Sequence, residues 1–142
     1  MATKADFTGA EWQVLQWAVA DTMTYLSLAD PGLWDTFKEA SGAAKYMAEM
    51  KSSSECPLVR ELAGDARTRH DKSVSGDPAN VSDEVIGRVG LAVSIVSRKA
   101  PEDLDAFKDF IIGVAKATAE AAKGIGPGEA AAIARLEAAL GR

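Results

Sequence analysis

The chain has one cysteine and one histidine in 142 residues. A single cysteine excludes an internal disulfide and any multi-cysteine metal site, and it fits a reducing compartment. A lone His70 offers no zinc site of the usual histidine type. Basic residues are also short, at 16 against 21 acidic, for a net charge of −5. That balance argues against general binding to nucleic acid or to an anionic membrane. Long apolar runs are missing. The most apolar stretch, Val89 to Val96, falls far below the roughly 20 residues that cross a bilayer, so no membrane span is expected. Residues 1–11 are polar and lack an apolar signal core, so a cytoplasmic location, in a chain of bacterial style, is the expectation. β-branched runs and alternating patterns are scarce as well, while alanine is plentiful, which points to helix.

What is present fits one all-α domain spanning 1–142, a bundle of five main helices plus one short one. The clearest helix is Pro101 to Gly124. Leu104, Phe107, Ile111, Val114, Ala117 and Ala121 recur at helical spacing, with Asp105, Asp109, Lys116, Glu120 and Lys123 opposite. Pro101 suits a first helical position and Gly124 a helix end. Ile112 falls in the polar stripe. It is either a tolerated surface residue or part of a partner-binding interface.

Thr8 and Glu11 form a capping box before a first helix over about 9–28. That helix has two apolar stripes. Trp12, Leu15, Val19, Met23 and Leu26 make one; Val14, Trp17, Tyr25 and Leu28 make the other. A helix apolar on both sides is covered by several neighbours. Asp21 lies in the second stripe. At the stripe's edge it reaches water; if buried it needs a partner and marks a functional position.

Asp30 as cap and Pro31 as first residue open a second helix running to about Met50, with Leu33, Trp34, Phe37 and Met47 inward. Ser52–Ser54 reads as a loop, and Pro57 to Gly64 as the short helix. Asp65 to Val81 lacks a period and is expected to be a mobile loop. Its basic residues, Arg67, Arg69, His70 and Lys72, are interleaved with Asp71 and Asp77, which reads as a solvated segment rather than an anion site. Ser82 looks like the cap of a fourth helix whose inward residues are Val85, Val89, Ala92, Val93 and Val96. A glycine-rich corner leads to a last helix with Ile133, Leu136 and Leu140 on one face.

Catalytic patterns do not stand out, and the expectation is a non-enzyme without a cofactor. No spacing supports pairing Cys56 with His70, and a lone cysteine before a proline reads as a small packed residue. The corner Gly124–Gly128 follows a helix and lacks the lysine and hydroxyl of a phosphate loop. No Glu-x-x-His pair suggests a di-iron centre. Trp12, Trp17 and Trp34 concentrate on the first two helices. Their bland reading is core, and their functional one a ligand pocket with Trp17, Asp21, Tyr25 and Trp34 as contacts.

Ala122-Lys123-Gly124-Ile125 with Glu129, Ile133, Leu136 and Leu140-Gly141 resembles the second helix–corner–helix of TerB-like, tellurite-resistance-associated domains. Ala29-Asp30-Pro31-Gly32 with Leu33 and Glu39 resembles the same corner earlier in the chain. The resemblance implies an all-α bundle and a divalent-metal site at paired acidic corners, with Asp30 and Glu129 as the oxygen ligands. Lys123 stands where that family carries aspartate and repels a cation, and Pro31 interrupts the first corner, so the resemblance implies a metal site weakened or lost in this chain. Two functional classes follow. The first is a non-enzymatic interaction module with a protein partner or self-association as a homodimer. The alternative is a TerB-like small-ligand or metal-binding domain.

Overall fold

Local start and stop signals set most of the helix ends. The computed structural model describes residues 2–29, 36–65, 78–123 and 126–142. Within them lie α1 (Gly9–Ala29), α2 (Thr36–Ser53), α3 (Pro57–Asp65), α4 (Pro78–Lys99), α5 (Leu104–Lys123) and α6 (Pro127–Leu140), with no strand among the described residues. Thr8 caps α1 as its sequence suggests. Its hydroxyl accepts from the Glu11 amide at 3.1 Å, and its own amide donates to the Glu11 carboxylate at 2.9 Å. Pro127 opens α6, and Gly141, at φ 74°, ends it in the left-handed conformation that glycine adopts without strain.

Three boundaries differ from the sequence reading. α4 begins at Pro78, not Ser82, because proline suits a first helical position. Residues 78–81 are therefore helix rather than loop, and 66–77 lie outside the described residues. α2 runs on to Ser53, where the Ser52 and Ser53 hydroxyls donate back to the carbonyls of Ala48 and Glu49. Pro101–Asp103 is a 3-10 turn ahead of α5. Asp103 is buried there, accepting the Ala2 amide at 2.9 Å, which ties the N-terminal segment to the body.

The most extensive pairings are α2 with α5 and α1 with α4; α1 also packs on α5, and α6 closes against α1, α4 and α5. Phe107, Phe110, Ile111 and Val114 of α5 meet Leu15, Val19 and Leu26 of α1 in one core. Each such side chain, fully buried, contributes roughly 1.5–3 kcal/mol. Tyr46 of α2 stacks on Phe110 at 6.0 Å, its ring lying where a side chain on Gly113 would stand. The glycine lets α2 approach α5. Both stripes of α1 are covered where their side chains are described. The first is buried, and in the second Tyr25 is buried while Val14 and Trp17 are half-buried.

Candidate functional site

Trp17, Asp21 and Tyr25 follow one another at intervals of four along α1 and so share the side that meets α4. Asp21 is 3% exposed, which overturns the placement at a wet stripe edge. Arg88 of α4 supplies the countercharge at 2.9 Å. Its guanidinium also lies over the Trp17 ring, 5.5 Å from the centroid, a favourable cation–π position. One turn away the Ser82 hydroxyl donates to the Tyr25 hydroxyl at 3.3 Å. Arg135 of α6 donates to Ser82 and pairs with Asp83 at 2.7 Å.

These contacts run from α1 through α4 to α6 and join three of the sequence's ligand candidates, but they join them to neighbouring helices. A slip of α4 along α1 would bury Asp21 away from Arg88, so the pair favours one register. Trp34 lies outside the described residues. The sequence reading missed Arg88 as the partner of Asp21. An arginine just off an otherwise apolar inward stripe was the available signal.

Of the two metal candidates, Glu129 lies within the described residues and Asp30 does not. Glu129 is buried in the first turn of α6, a favourable end for an acidic side chain. Asp30 and residues 31–35, 124 and 125, which carry the two TerB-like corners, lie outside the described residues. Among the described residues no group of three His, Cys, Asp or Glu side chains could hold a metal ion. Ile112 is half-buried and packs against the core.

Cys56 precedes α3 and is buried. Burial pushes its thiol pKa up, Asp103 adds to the rise, and the amides of Val59 and Leu58 oppose it. Nearby, Lys4, Lys51, Arg60, Glu61, Gly64 and Asp65 line an open cleft of about 410 Å³. Several of its polar groups already have partners: Lys4 pairs with Asp65 at 2.8 Å and its amide donates to Glu61. Arg60 donates to the Ser54 carbonyl at 2.7 Å.

The outer face of α4 is different in kind. Leu91 is 52% exposed, the large apolar side chain left in solvent among the described residues. Gly87 and Gly90 lie beside it inside the helix. A β-carbon built on either meets nothing within 4 Å, and neither has a positive φ. A glycine inside a helix costs up to about 1 kcal/mol relative to alanine. Close packing among the described residues explains neither of them. Leu91 stands opposite the valine stripe, and the paired glycines just before it were its readable sign in the sequence.

Comparison with family models, characterised proteins and solved structures gave no match to this chain.

Proposed function

We propose that the protein is a non-enzymatic interaction module that presents the outer face of α4 to a helix of another protein chain. Leu91 carries the reading. An isolated exposed leucine is ordinary on a protein surface, but this one follows two helix-interior glycines, Gly87 one turn before it and Gly90 directly before it, that open the backbone beside it. Small residues around a projecting leucine make the kind of surface into which a second helix packs closely. The interior polar contacts of Asp21, Arg88 and Trp17 support the same reading, because they hold α4 in one register and so present its outer face in one orientation.

The test is the apparent size of the protein in extract from its own cells, for the native chain and for Leu91→Lys. Leu91 is exposed, so the substitution should change stability by no more than about 0.5 kcal/mol. Elution well above 14.9 kDa that collapses to the monomer in Leu91→Lys is the expected result. Elution that ignores the substitution contradicts the reading.

A further inference from the structure

The outer face of α4 has a symmetry of its own. Glu84 and Arg98 lie seven residues before and after Leu91. Seven residues are close to two turns, about 10 Å of rise, so all three share one face. Gly87 and Ser94 are exposed on that face between them. We infer that it binds a second copy of itself, the two α4 helices running antiparallel about a two-fold axis at Leu91. This rests on the reading of α4 as the binding face and names its partner.

In such a pair each residue before Leu91 faces one equally far after it. Glu84 then meets the partner's Arg98, and Arg98 meets the partner's Glu84. A parallel pair would set glutamate against glutamate and arginine against arginine, so charge selects the antiparallel arrangement. The leucines meet at the axis, flanked by Gly87 and Ser94, which leave room for a close approach. A two-fold contact of this kind closes at the dimer rather than growing into a filament. Arg98 also reaches Glu11 at 3.2 Å, but its side chain is 66% exposed, and a pair that open holds little energy. Lys99 stands 3.5 Å from the same Glu11, so Arg98 can turn outward while Glu11 keeps a cation.

The experiment is sedimentation of the purified full chain from low micromolar to near-millimolar concentration. The mass should rise from 14.9 kDa toward twice that value. Glu84→Arg alone, or Arg98→Glu alone, should weaken association at least about tenfold, since both cross-chain pairs become repulsive. An equimolar mixture of these two variants should recover it, because every cross-chain pair is again opposite in sign. Glu84 is exposed and Glu84→Arg should melt like the native protein, whereas Arg98→Glu also gives up its contact with Glu11 and should melt somewhat lower; Leu91→Lys provides an independent loss should one of them fold poorly. A native chain that stays monomeric throughout overturns the inference, as does a mixture no tighter than its components. If the purified chain is monomeric while its size in extract still depends on Leu91, self-pairing falls and α4 as the binding face stands. If neither depends on Leu91, both fall.

Discussion

The Asp21 carboxylate on α1 accepts a charged hydrogen bond from Arg88 on α4 at 2.9 Å, with almost none of Asp21 reaching water. Removing one partner of a buried pair leaves the other charge poorly compensated, which typically costs 3–5 kcal/mol. Arg88 keeps 26% of its side chain in solvent, which lowers that penalty. Asp21→Ala should therefore cost about 2–3 kcal/mol in urea unfolding. Asp21→Ala with Arg88→Met should cost less than the sum of the two single changes, the sign of direct coupling.

Gly113 and Tyr46 make a second testable contact. A β-carbon at 113 would fall 2.8 Å from the ring carbon Cε1 of Tyr46, so the ring must leave its stack on Phe110. Alanine improves helix propensity by up to about 1 kcal/mol, whereas overpacking costs about 1–3 kcal/mol. Gly113→Ala should be destabilising on balance. Adding Tyr46→Ala should remove the clash and leave Gly113→Ala stabilising in that background, which thermal melts of the four proteins would show.

Helix ends with local chemistry were legible from the sequence; ends and sites set by tertiary partners were not. Thr8 with Glu11 and Pro57 act within a few residues, and α1 and α3 start where those residues say. Ser82 resembled a cap but spends its hydroxyl on Tyr25 and Arg135, while the helix begins at Pro78. Periodicity located Asp21 on an apolar stripe without saying that Arg88 would meet it. Asp103 stands in the acidic run that opens the fifth helix, yet it is buried and accepts the Ala2 amide. Attention to inward stripes also hid Leu91, whose interest lies in facing outward.

Glu11 gives a pH dependence with a definite sign. The Thr8 amide, with smaller help from the Thr8 hydroxyl, Lys99 and Arg98, holds its carboxyl below the ordinary value of 4.5 against an opposing effect of burial. A depressed folded-state value means that its contribution is present above that ordinary value and fades as pH falls through the depressed one. Glu11→Gln should lower the melting temperature at neutral pH. In strongly acid solution the two proteins should melt together.

The thiol of Cys56 is buried and its pKa raised, so little thiolate is present at neutral pH. Labelling with a chromogenic disulfide should be slow in native buffer and rapid in denaturant. Asp103→Asn, which weakens the hold on the Ala2 amide, should speed labelling by loosening the segment beside it.

Sedimentation of the native chain beside Gly87→Ala and Leu91→Lys is the most direct measurement of what α4 does. If its outer face is the binding surface, the native protein associates as concentration rises and both variants associate more weakly. Gly87→Ala should at the same time stabilise the single chain by up to about 1 kcal/mol, because its new methyl group meets nothing at home. A native protein that remains one 14.9 kDa species at every concentration, with neither variant changing its behaviour, would contradict a self-associating α4.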